Sequence, residues 1–302
     1  MSGVQGLLRA ELRRFFSRRV MRAAFAFGIA LSTLVLVIIT VRSDVTTGTA
    51  NGRQLVCNGT SDPATVPDTS GTFPPGCTLE FATATVQHDR RVNIHDNLSD
   101  TIKGTGVAMV FVAFVIGASF IGAEFSAGSI GSQLVFEPRR ARVVVVKALA
   151  VGIGLAVLAI AVLLYIAILQ GVGSSLRGVF DGLDGAWFAA RAGDIGRVAA
   201  AVALAGIAAY AITVVTRRTV AAVAGLLIVG WVSAIVGSLH QWRWVAKYNP
   251  TSAFVAMALD FSRHNSGGSD AIPVRTATVS ACLWAVALTV VAAIVFARRE
   301  VR

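Results

Sequence analysis

Charged residues are scarce. Asp, Glu, Lys and Arg make up 14% of the 302 residues, against 55% hydrophobic. Soluble domains carry about 25% charged residues, so a water-solvated globular domain is excluded as the main class. Period-two alternation is also missing from the apolar runs, which excludes the strands of a membrane barrel. No Gly-x-x-x-x-Gly-Lys-Ser/Thr loop occurs, so this chain does not itself cradle nucleotide phosphates. Cysteine is limited to three residues, and none stands in a zinc-finger spacing.

Long apolar runs are what the chain has instead. Six approach the ~20 residues that cross a bilayer's hydrocarbon core: 23–41, 105–123, 143–169, 198–216, 220–239 and 276–296. The expected fold class is an all-α polytopic membrane protein with six transmembrane helices. None of the runs contains Asp, Glu or His, and Lys147 is their one basic residue, close enough to an end to snorkel. Pumps and secondary transporters use intramembrane acids, so proton coupling through the bilayer has no carrier here. The first run follows an arginine cluster and lacks a small-residue cleavage site, which favours a retained span over a cleaved signal.

Basic residues set the orientation. With the N-terminus inside, inner segments hold 15 Lys and Arg against four acids, Glu11, Glu124, Glu137 and Glu300, leaving 12 cations and 12 acids outside. The net charge of +11 therefore lies on one side, the positive-inside pattern. Multi-pass insertion in the cell membrane with both termini cytoplasmic is expected. The basicity reflects this topology, and no nucleic-acid partner is expected, because no basic-aromatic constellation occurs outside these flanks.

Residues 1–22 read as an amphipathic helix in the inner headgroup layer, with Val4, Leu7, Leu8, Leu12, Phe15 and Phe16 recurring at helical spacing. A plain basic flank is the alternative. Residues 42–104 form a long outer loop, irregular and with little core, containing Pro63, Pro67, Pro74 and Pro75. Cys57 and Cys77 share it and would pair in an oxidising compartment, while Cys282 reads as a small apolar core residue of the last span. His88 and His95 match no metal-ligand spacing and read as solvated. Residues 170–197 read as a short outer excursion, with Trp187 and Phe188 as interfacial anchors and Asp181 and Asp184 without partner groups. Residues 240–275 contain Pro250, after which Thr251 or Ser252 would cap a short helix too short to span.

The inner segment 124–142 is the most structured of the connections. Glu124 opens it, Phe125, Ile130 and Leu134 can share one side of a short helix, Pro138 ends it, and Arg139, Arg140 and Arg142 hold the mouth of the next span at the headgroups. A helix of this kind, braced between two spans, suits a partner below the membrane. An interfacial hairpin without a partner is the alternative.

The stretch "GAEFSAGSIGSQLVFEPRRARVVVVKALA" resembles the second-span exit, coupling helix and third-span entry of ABC-2 type (type V exporter-like) ABC transporter permeases. An inner connecting helix before the first span, here residues 1–22, and short outer helices before the last span, here near Asn249 and Pro250, fit that family as well. The likeness covers nearly the whole chain in topology and about 30 residues in motif; the first outer loop is longer than in compact members. The resemblance implies a permease paired with a second permease, itself or a paralogue, and with separate ABC ATPase subunits, among membrane lipids. It implies ATP and Mg on those partners and no cofactor or catalysis on this chain. Glu124, Phe125, Gly128, Ile130, Gln133 and Leu134 would carry the ATPase coupling. Substrates of the family include lipids, drugs, peptides and glycan precursors. A non-transporting scaffold or sensor, with the first outer loop as receptor, is the rival expectation. A membrane-embedded enzyme is disfavoured by aspartates that lack partners.

Overall fold

The computed structural model describes residues 2–42, 45–57, 60–61, 77–89, 94–130, 140–177, 183–238, 248–259 and 273–298. Gln133, Leu134, Pro138 and Arg139 lie outside the described residues, as does Asp181.

In chain order the elements are α1 (Ser2–Ser17), α2 (Arg19–Arg42), β1 (Val45–Cys57), β2 (Thr60–Ser61), β3 (Cys77–Asp89), α3 (Ile94–Ser126), α4 (Arg140–Arg177), α5 (Gly185–Thr216), α6 (Thr219–Ser238), α7 (Pro250–Leu259) and α8 (Val274–Arg298). Among the described residues, four helices are long and apolar enough to cross a bilayer: α3, α4, α5 and α8. Shorter apolar stretches lie in α2, α6 and α7. On α8, Val279, Leu283, Val286, Val290 and Ile294 stand exposed along one side, and Cys282, expected in the core, is exposed as well. An apolar stripe of that size suits lipid far better than water.

The all-α expectation holds for the apolar segments and fails between α2 and α3. There β1 pairs antiparallel with both neighbours in the order β2-β1-β3, with Val45 opposite Asp89 and Cys57 opposite Cys77. The stretch expected to be irregular thus contains a ribbon of two 13-residue strands. Its Thr- and Val-rich sequence explains this, since β-branched residues suit a pleated strand. The expected outer segments also shrink. Helix α3 begins at Ile94, α4 continues to Arg177, and α5 starts at Gly185, where Asp184 accepts a hydrogen bond from Trp187 N at 2.7 Å as N-cap.

Helix α5 is the centre of the bundle. Alanines 199, 201, 205, 208, 209 and 211 are buried along it, and small side chains let neighbouring backbones approach. A Cβ placed on Gly117 of α3 would collide with the Gly206 carbonyl of α5, so these helices pass backbone on backbone. Leu155 of α4 fills the space over Gly206. Phe114 meets Phe254 of α7 edge-on, ring centroids 6.0 Å apart. Asn249 caps α7, its Oδ1 accepting from Ser252 N at 2.8 Å. The cap is thus one residue before Pro250, not Thr251 or Ser252.

Candidate functional site

Four segments distant in sequence meet at the end of the bundle where α1, α3 and α4 converge. Helix α1 is the first. Helix α1 ends at Ser17 and the chain bends at Arg18, and α1 packs along α4, with Phe15 fully buried in the space left by Gly154. Phe15 also approaches the Phe120 ring of α3, centroids 5.6 Å apart. The expected headgroup-lying helix therefore has its inner face against protein. Glu11 lies one turn before Phe15 on the same side and is buried.

Glu124 lies in the last turn of α3 and does not open a new helix. The helix ends two residues later, where Gly128 takes φ +65° and its N–H donates to Phe125 O at 3.3 Å. Left-handed φ at a helix C-terminus is the usual place for glycine. A carboxylate in a last turn opposes the helix dipole, so Glu124 needs cations, and two reach it. Lys147 Nζ donates to its Oε1 at 3.0 Å and Oε2 at 2.8 Å. Arg18 Nη2 donates to Oε1 at 3.0 Å.

Lys147 is the hub. It is 2% exposed, which overturns the expectation that it snorkels. Its third hydrogen bond goes to Glu11 Oε2 at 3.1 Å, so the three N–H groups of one ammonium meet three carboxylate oxygens. Arg14 adds an ion pair to Glu11 Oε1 at 3.3 Å from its exposed position. Arg18 also donates to Phe120 O at 2.6 Å and stacks over the Phe120 ring, 4.3 Å from its centroid. One turn away, Tyr210 OH donates to Val144 O at 3.2 Å and ties α5 to the same end of α4.

The result is an ionic brace across α1, α3 and α4. It has no nucleophile and base in the arrangement that covalent catalysis needs, and its charges are spent on each other. What it can do is mechanical: displacing any one helix would strand a buried charge, which costs several kcal/mol.

The residues expected to face an ATPase divide accordingly. Glu124 is buried and engaged within the chain, so it has no free face for a partner's cation. Phe125 packs against the core and Ile130 is buried in it. Gly128 is exposed. Arg140 begins α4, and Arg142 is partly buried one turn before the brace. Cys57 and Cys77 stand opposite each other in the ribbon. His88 is on β3 opposite Thr46, while His95 on α3 stacks on Trp187, centroids 6.3 Å apart. Trp187 itself is buried, with Nε1 donating to His95 O at 3.3 Å; it is a core residue and not an interfacial anchor. Among the described residues, no group of three or more His, Cys, Asp or Glu could hold a metal ion.

Glu11, Lys147 and Arg18 are members that sequence reasoning missed, and for the first two a signal stood in the sequence. The signal was present: an acid on the apolar side of α1, between Leu8 and Phe15, and a lysine inside Val-Val-Val-Val-Lys-Ala-Leu. Each is out of place alone, and they are complementary together. No protein-family model and no curated protein matches this chain.

Proposed function

We propose that the chain is the permease subunit of an ATP-driven exporter, with six spans and both termini cytoplasmic in the cell membrane. It would act with a second permease and with separate ATPase subunits that carry ATP and Mg. The observation that supports this reading is the brace. The inner segment 124–142 leaves α3 at Glu124 and enters α4 seven residues before Lys147, and these two residues are bonded to each other and to α1. A push on that segment from below would reach three helices at once instead of dissipating in a loop. Transport needs such a link, because a partner can shift a membrane protein between states only through contacts that differ between them. With Glu124 engaged inside the chain, the ATPase contact falls to the exposed surface at Ser126, Ala127 and Gly128 and to the residues that follow.

The test is purification of the full chain from its native membrane in mild detergent. A Mg-dependent ATPase should co-elute, and Ala127→Arg should remove it while the permease stays inserted. Absence of any ATPase, or equal recovery with Ala127→Arg, would count against the exporter. The ribbon of β1 and β3 gives the rival, a scaffold or sensor with an external receptor, a folded element of its own; a chain that purifies without ATPase favours it.

A further inference from the structure

The ribbon between α2 and α3 stands by itself. Among the described residues no helix packs along β1 or β3, and β2 covers only Val56 and Cys57 of β1. A two-stranded ribbon with neither a third strand nor a helix against it is marginally stable at best in water. Yet this one runs through 13 consecutive pairs, from Val45–Asp89 to Cys57–Cys77, without a bulge.

The register identifies the backbone groups that are left over. Cys57 and Thr60 are ladder partners three residues apart, so they close a tight turn, in which the C=O of the first residue accepts from the N–H of the fourth. Cys57 therefore turns its backbone groups to β2. Its pairing with Cys77 has no hydrogen bonds of its own, and bonded and unbonded pairs alternate along an antiparallel ladder. Val56–Thr78 is thus bonded, as is every second pair after it. The even-numbered residues of β3 are spent on β1. The odd-numbered ones, from Cys77 to Asp89, turn their N–H and C=O groups to the open edge.

Such an edge is a template for another strand, and proteins guard it with proline, lysine or a bulge. Strand β3, CTLEFATATVQHD, has none of these. The far edge of β1 suits pairing less well. Strand β2 takes one end of it, and Gly48, Asn51 and Gly52, residue types depleted in strands, interrupt the rest.

We propose that the open edge of β3 pairs antiparallel with β3 of a second copy of this chain. What singles out a copy is how β3 meets itself. A two-fold axis makes such a contact self-complementary, and full overlap of the 13 residues puts that axis at Thr83. Odd residues then face odd residues, so every outward N–H and C=O finds a partner. Thr83 meets Thr83 and Thr85 meets Phe81; Thr–Thr and aromatic–β-branched pairs are favourable across strands. Glu80 falls opposite Val86 and Asp89 opposite Cys77, so no like charges meet. The two ribbons become one continuous sheet in the order β1-β3-β3-β1. The pairing stands whether or not the chain exports anything.

The full chain would carry single cysteines in β3 and be oxidised in its native membrane, with covalent dimer read on a non-reducing gel. Thr83→Cys should give a dimer, because a hydrogen-bonded pair has its Cα atoms about 5.5 Å apart, within disulfide range. Thr85→Cys should not, since its two copies lie four residues apart along the strands, about 14 Å. The native chain, with Cys57, Cys77 and Cys282, sets the background. Adding Gln87→Pro to Thr83→Cys should abolish the dimer. The N–H at position 87 points to the open edge, so proline leaves the ribbon's own ladder intact, but it removes a bond to Leu79 of the second copy. No dimer with Thr83→Cys, as much dimer with Thr85→Cys, or a dimer that survives Gln87→Pro overturns the proposal.

Discussion

Replacing Lys147 by Met removes the hub of the brace and keeps most of its volume. Both carboxylates bond to the same Nζ, at 3.1 Å from Glu11 and 2.8 Å from Glu124, so the two oxygens are at most about 6 Å apart. Two unit charges at that separation repel by about 3 kcal/mol at an effective dielectric constant of ~20. The substitution also removes three charged hydrogen bonds from buried acceptors. Arg18 and Arg14 remain as partners, which bounds the loss at about 3–5 kcal/mol, the usual consequence of breaking a buried pair. The assay is unfolding of the purified chain in mixed micelles by titrated denaturing detergent. A second variant, Glu11→Gln with Glu124→Gln and Lys147→Met, removes the stranded charges too and should return to within about 1 kcal/mol of the native chain, since an uncharged replacement of a buried ion pair is often neutral. If Lys147→Met alone unfolds like the native chain, or the triple variant is no better than the single one, the brace does not hold these helices.

Gly154→Leu would drive a side chain into the Phe15 ring and cost about 1–3 kcal/mol by overpacking. It should undock α1 and speed tryptic cleavage near Arg18, with Phe15→Ala restoring protection in part. Unchanged cleavage would mean that Phe15 does not anchor α1. Cys57 and Cys77 are direct cross-strand partners, and such Cα pairs lie about 4.5–5.5 Å apart, inside the range a disulfide spans. Intact-mass analysis with thiol alkylation should find them joined and Cys282 free, with the bond stabilising the ribbon by about 3 kcal/mol. Alkylation of both without reductant would exclude the bond.

The amino-acid sequence by itself determined the class of the helical part. Apolar runs without acids form long helices, because a backbone in lipid must satisfy its hydrogen bonds internally, and α3, α4, α5 and α8 follow from that requirement alone. Local chemistry determined the short helix after Pro250 as well, although Asn249 took the cap. The paired strands after α2 were hidden because Pro63, Pro67, Pro74 and Pro75, all between β1 and β3, dominate the loop's composition while the flanking Thr- and Val-rich segments carry the ladder. Only the tertiary structure decided the fate of the charges. A lysine near the end of an apolar run extends to water if nothing meets it, and stays buried if a carboxylate arrives. Lys147 stays buried because Glu11, 136 residues away, and Glu124, 23 residues away, come to the same place. Helix formation is a property of neighbouring residues, whereas the partner of a buried charge is set by which helices pack together and in what register.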